Sequence, residues 1–201
     1  DLLLYGKNGK TFAELCVGEN GPSLSLIDEN SKSRAELSVI MGTPVLSLSN
    51  ENSESRAELS VSETFFGLCM GEVGPILSLN GKNGKSSAQL SVFEDKPGLS
   101  LFDYNGKPRA GLSVDKDVTG LSLHDKKGKS RAELSVLNDK PELSLYDENG
   151  KPRAGLSVLK DGPDLGLCDE NGKLRTGLRV DKNGPSLAMR DEDEKVIWRS
   201  P

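Results

Sequence analysis

One leucine recurs through this chain at a fixed interval, and that period limits the fold more than any other feature. It stands at Leu2, Leu24, Leu46, Leu77, Leu99, Leu121, Leu143, Leu165 and Leu187. The spacing is 22 residues except between Leu46 and Leu77, where it is 31. Fixed-period self-similarity is the mark of a repeat architecture, in which each repeat is one supersecondary unit that buries its apolar side against its neighbours. The clearest copy is Leu143 to Val158, LSLYDENGKPRAGLSV.

Inside a repeat the pattern has period two. Leu143 and Leu145, then Ala154, Leu156 and Val158, alternate with Ser144, Arg153, Gly155 and Ser157. Such alternation predicts two half-buried strands rather than a helix. Asn149-Gly150 between them predicts a two-residue type I′ turn, because both residues tolerate positive φ. That turn would pair Glu148 with Lys151, Tyr146 with Arg153, Leu145 with Ala154 and Leu143 with Leu156. A slip of one residue would set every leucine against a polar group. Six residues such as Leu159 to Asp164 join one repeat to the next, and pairing Val158 with Leu165 keeps the face.

The expectation is therefore all-β: a tandem β-hairpin repeat array over residues 1–201, running as an antiparallel meander. One apolar face needs a cover. The meander is expected to coil into a solenoid, prism or sandwich, or several chains to pack their faces together; a β-propeller is the alternative. The irregular spacing maps to residues 62–75, where Thr64 to Pro75 copies the second half of a repeat, Thr11 to Pro22. An extra strand there would separate repeats 1–3 from repeats 4–9 and reverse the polarity of the meander. At the other end Trp198 stands where alanine is usual, and Asp191 to Glu194 replaces the Asn-Gly turn. This atypical copy reads as a cap.

Composition narrows the function. The apolar fraction is 34% and the aromatic fraction 4%, so any core is thin. The net charge of −5 comes from both signs in every repeat. With no basic stripe, nucleic acid is not an expected partner. No apolar run reaches the ~18 residues of a membrane span. Cys16, Cys69 and Cys168 read as free thiols in serine-like positions, since strands ~4.8 Å apart hold distant repeats beyond disulfide reach. A cell-surface or extracellular setting suits such an array, while free cysteines leave an intracellular one open.

No catalytic or metal-binding set is expected, and no cofactor. Asp147-Glu148-Asn149-Gly150 lacks the alternating oxygen ligands and terminal Glu of an EF-hand. The single histidine, His124, has no triad or zinc partners. One candidate ligand-facing ladder remains: Phe102, Arg109, His124, Arg131, Tyr146 and Arg153, where each ring would lie across from an arginine and stack on it. Serine fills fixed places on the polar face, as at Ser122, Ser144 and Ser157, which suits a solvated strand.

The unit L-x-L-x-D-x-N-G-K-x-R-A-x-L-x-V, complete at Leu143 to Val158, resembles tandem β-hairpin repeats found in many uncharacterised bacterial proteins, over almost the whole chain. The resemblance implies a repeat fold and carries no catalytic residues with it. Choline-binding repeats share the hairpin plan, but their paired Trp and Tyr cage is missing here. Together these features predict a non-enzymatic structural or interaction protein, a rod, fibre or scaffold subunit that is a homo-oligomer or binds a protein partner. The alternative is a repeat-based, lectin-like module for carbohydrate.

Overall fold

A computed structural model describes residues 1–52, 54–61 and 73–200. Among them there is no helix; the fold is all-β, a meander of antiparallel hairpins. The chain divides into two halves, Asp1–Gly106 and Lys107–Pro201. The N-terminal half holds β1 (Leu2–Tyr5), β2 (Thr11–Gly18), β3 (Gly21–Ile27), β4 (Ser33–Ile40), β5 (Thr43–Ser49), β6 (Ser55–Val61), β7 (Val73–Asn80), β8 (Ser87–Phe93) and β9 (Lys96–Phe102). The C-terminal half holds β10 (Pro108–Val114), β11 (Val118–His124), β12 (Ser130–Leu137), β13 (Lys140–Tyr146), β14 (Pro152–Leu159), β15 (Gly162–Cys168), β16 (Leu174–Asp181), β17 (Gly184–Arg190) and β18 (Val196–Arg199).

Within each half every strand pairs with its sequence neighbours, and the register lines up one leucine per strand. Leu2, Leu15, Leu24, Leu37, Leu46, Leu59, Leu77, Leu90 and Leu99 are successive partners from β1 to β9. Leu112 to Leu187 do the same from β10 to β17. A parallel row alternates large and small: Leu123, Ala132, Leu145, Ala154, Leu167. Leucine opposite leucine at every strand is the cross-strand contact that holds the register.

The repeat hairpin does not turn as the Asn-Gly pair predicts. Only Gly150 has positive φ (81°). Its N–H donates to Asp147 O at 3.0 Å, and Asp147 N–H to Lys151 O at 2.9 Å. This is a three-residue loop, a type I turn closed by a glycine in the left-handed region. Asp147 selects it: Oδ1 accepts the N–H of Asn149 at 2.8 Å and of Lys151 at 3.0 Å, an Asx turn that competes with the type I′ geometry.

The loop is one residue longer than expected, and the second strand compensates with one extra residue. Tyr146 pairs with Pro152, not Arg153, while Leu145 still pairs with Ala154 and Leu143 with Leu156. Arg153 is the residue left over, a β-bulge. Arg34, Arg56, Arg131 and Arg175 fall at the same irregularity in their hairpins. In the β7–β8 hairpin Ser87 stands in the arginine's place. There Asn80 pairs with Ser87 and Leu79 with Ala88 without a shift, and the extra residue has moved into the loop, which Gly81 N–H closes on Ser86 O at 2.7 Å.

The type I′ turns lie between repeats instead. Met41-Gly42, Glu94-Asp95 and Asn138-Asp139 all have positive φ, from 46° to 86°. These connections have two-residue loops, so the strands run further than expected. Leu156 pairs with Leu165, and Val158 with Pro163 rather than with Leu165. The shift is two residues, which preserves the face.

Other expectations are corrected. Strands β6 and β7, on either side of the irregular spacing, pair directly and antiparallel, Leu59 with Leu77. The polarity reversal therefore does not occur between them, and the repeat turns on both sides share an edge. Residues 62–72, which carry most of the expected extra strand at 62–75, lie outside the described residues. Among the described residues each strand contacts only its neighbours in sequence within a half, so each half is an open antiparallel meander of hairpins, not closed into a barrel. Trp198 pairs with Met189 and stays 48% exposed; it does not close the apolar end.

The turn chemistry has a direct test. Gly150 has open space where a Cβ would stand, so Gly150→Ala carries only the cost of left-handed backbone, about 1–2 kcal/mol. Glu94 has φ 46° without being glycine, and Glu94→Gly is expected to be neutral or to stabilise by up to about 1 kcal/mol. Chemical denaturation of the two variants should move in these opposite senses.

Candidate functional site

Two surfaces are candidates: the aromatic and arginine ladder at the repeat turns, and the leucine face. The ladder depends on where the bulge sends each arginine. Arg131 Nε lies 3.2 Å from Asp125 Oδ2, Arg175 Nε 2.9 Å from Asp169 Oδ2, and Arg153 Nη1 3.6 Å from Asp147 Oδ2. Arg34 pairs with Asp28 in the same way. Each arginine reaches back to the aspartate that opens its own turn, six residues earlier. Arg131 and Arg153 also reach forward, Arg131 Nη1 donating to Tyr146 O at 3.5 Å and Arg153 Nε to Cys168 O at 3.3 Å, and Arg109 Nε likewise donates to His124 O at 3.1 Å. The bulge aims the guanidinium so that one side chain ties a turn to the next repeat.

Lysines complete these ties. Lys129 Nζ donates to Glu148 O at 2.9 Å, Lys173 Nζ to Glu192 O at 2.7 Å and Lys10 Nζ to Glu29 O at 2.6 Å. The turn edge is thus a row of Asp, Lys and Arg already engaged with backbone. Shallow polar grooves lie between successive turns, one bounded by Arg153, Asp169, Lys173, Arg175 and Asp193.

The rings go elsewhere. Tyr146 Oη donates to Glu133 Oε2 at 3.0 Å on β12, and His124 Nε2 meets Ser122 Oγ at 3.1 Å on its own strand. Burial, and then the bond to Glu133, push the Tyr146 hydroxyl's pKa up. Phe102 ends β9 opposite Ser87, in the other half from His124 and Tyr146. The register sets Tyr146 against Pro152 and His124 against Ser130. The expected facing of ring and arginine is therefore replaced by arginine on a backbone carbonyl, because the bulge displaces the arginine. Cys168 occupies the place of Tyr146 one repeat on, not a serine-like one. Cys16 pairs with Ser23, its sulfur 3.2 Å from the hydroxyl. Both thiols are free, and Cys69 lies outside the described residues.

Sequence reasoning missed the aspartates. Their signal was present: Asp at three residues before the turn glycine and six before the arginine, in Asp125, Asp147 and Asp169 alike. Backbone N–H donation from Lys151, outweighing partial burial, then from Asn149 and the Arg153 charge, holds the Asp147 carboxyl below its usual value. Asp125 is lowered chiefly by the N–H of Lys129, and Asp28 by that of Lys32. At Asp169 burial pulls upward but loses to the N–H groups of Lys173 and Asn171 and to Arg175.

The second surface is larger. No apolar side chain is buried among the described residues. Leucines of the β1–β9 row are from 38% exposed (Leu77) to 59% exposed (Leu2), and Leu143 and Leu156 stand at 37% and 46%. Contiguous apolar patches beyond a few hundred Å² mark interaction surfaces. Strand spacing of about 4.8 Å over nine strands, and three apolar positions per strand, give each half a face of roughly 700 Å².

Among the described residues no group of three or more His, Cys, Asp and Glu is placed to hold a metal ion. Among the described residues no helix is long and apolar enough to cross a membrane. Comparison with protein-family models and with curated proteins returns no match to this chain.

The aspartates make stability depend on pH in a set direction. Their folded pKa lies below the ordinary 3.8, so they stabilise the fold above pH 3.8 and lose that contribution as pH falls through the lower folded value. Denaturation midpoints should drop on acidification below about pH 4. The triple variant Asp125→Asn, Asp147→Asn, Asp169→Asn should show a flatter profile there. Asn50, which accepts the N–H of Asn52 and Glu54 at 3.0 Å each, shows that asparagine can hold the turn.

Proposed function

We propose that this chain is a non-enzymatic structural or interaction repeat protein, a rod, fibre or scaffold subunit whose working form is an assembly with its own copies or with a protein partner. One observation supports this most: a leucine on every strand from β1 to β9 and from β10 to β17, most of them more than a third exposed, with no second layer within either half. Fully burying a leucine contributes about 1.5–3 kcal/mol, and an open face realises only part of it. A partner surface supplies the remainder. The turn edge fits the same reading, since its charged groups are bonded to neighbouring turns and serve to join repeats.

The lectin-like alternative needs rings and guanidiniums on one surface. Here Tyr146 reaches toward β12 while Arg153 reaches toward β15, which favours the structural reading. Light scattering and negative-stain microscopy of the full chain test it: assemblies of the chain, or a stable complex with another protein, are expected. A monomer at all concentrations that captures no protein would overturn it. A glycan-array signal abolished by Tyr146→Ala with His124→Ala would move the function to carbohydrate.

A further inference from the structure

We propose that the partner on the leucine face of the Lys107–Pro201 half is a second copy of the same half, packed face to face about a two-fold axis that runs along the strands between β13 and β14. This rests on the reading of the chain as an assembling scaffold and names the occupant of its main surface.

The pattern of the face carries the proposal. An axis between β13 and β14 sets β13 over β14 of the second copy, β12 over β15, β11 over β16 and β10 over β17. These eight strands are the ones that carry the leucine row from Leu112 to Leu187. The neighbouring row then meets itself with large against small at each crossing. Leu145 lies over Ala154, Leu167 over Ala132, Leu123 over Thr176 and Met189 over Ala110. Alternate leucines stand roughly 9.6 Å apart along that row, with a small residue between them that leaves room for an opposing side chain. A two-fold interface must be self-complementary in this sense, and interdigitated inner faces about 10 Å apart are how two sheets form a core.

The area agrees. A face of roughly 700 Å² per copy is close to the ~800 Å² per partner of a standard stable interface. Charge argues against an anionic lipid surface as the occupant. The loops beside the Val/Pro side of the face set Asp115, Asp139 and Asp161 beside Lys116, Lys140 and Lys160, so their charges nearly balance and form no basic cluster for such a surface.

Cysteine cross-linking tests this in the full chain with Cys16, Cys69 and Cys168 changed to serine. Ala132 and Leu167 sit three strands apart, so roughly 14 Å separates them within one copy, beyond the ~7 Å reach of a disulfide. The variant Ala132→Cys with Leu167→Cys should therefore give a covalent dimer on mild oxidation. Ser135→Cys with Asp164→Cys, on the same strands but the polar face, should stay monomeric under denaturing electrophoresis. Sedimentation of the unmodified chain should show mass rising with concentration to a dimer or a multiple of it. Cross-linking through Ser135 and Asp164 instead, a concentration-independent monomer, partition into phosphatidylcholine vesicles, or a complex only with a different protein would each overturn the proposal. The last leaves the scaffold reading standing; a monomer without any protein partner ends both.

Discussion

Everything in this chain depends on keeping leucine opposite leucine while the strand direction reverses every few residues. A β-strand has a side-chain period of two, so any odd error in a loop throws the whole next strand onto the wrong face. The repeat turn makes that odd error, with three loop residues where a two-residue turn would fit. The bulge at Arg153 and its equivalents makes a second odd step, and the two cancel within one hairpin. The β7–β8 hairpin supports this compensation, because there the arginine is replaced by Ser87 and the extra residue sits in the loop.

The compensation also explains the charged residues of the repeat. The type I turn needs an acceptor at its first position, which Asp147 provides through two backbone N–H bonds. The bulge releases the arginine side chain from the ladder, where it pairs with that aspartate and with the carbonyl of the next repeat. Turn, bulge and repeat-to-repeat tie are one device. It stiffens one edge of each half without an apolar core, which a chain with 34% apolar residues is poorly supplied to build.

Much of this was legible in the sequence. Period-two alternation gave strands, the 22-residue period gave the meander, and the Leu145–Ala154 and Leu143–Leu156 pairs followed from the pattern. The turn type was not legible from Asn149-Gly150, because Asp147 competes for the same backbone and the two outcomes share a register one pair away. The pairing of Tyr146 with Arg153 failed for that reason, since Tyr146 pairs with Pro152 instead. The inter-repeat turns were hidden because Glu94-Asp95 and Asn138-Asp139 adopt positive φ without glycine. The open face was legible only as a need for cover, since periodicity places leucines on one side and says nothing of a second layer.

The central claim is that the Leu/Ala/Val face holds the folded and assembled chain together. Its most direct measurement is circular dichroism with light scattering on Leu145→Asp combined with Leu156→Asp, two changes on that face in one central repeat. Carboxylates there would be desolvated without partners, so the account predicts loss of both the β-signal and the assembled mass. A double variant that keeps its β-signal and its native size would contradict it and place the stabilising surface elsewhere.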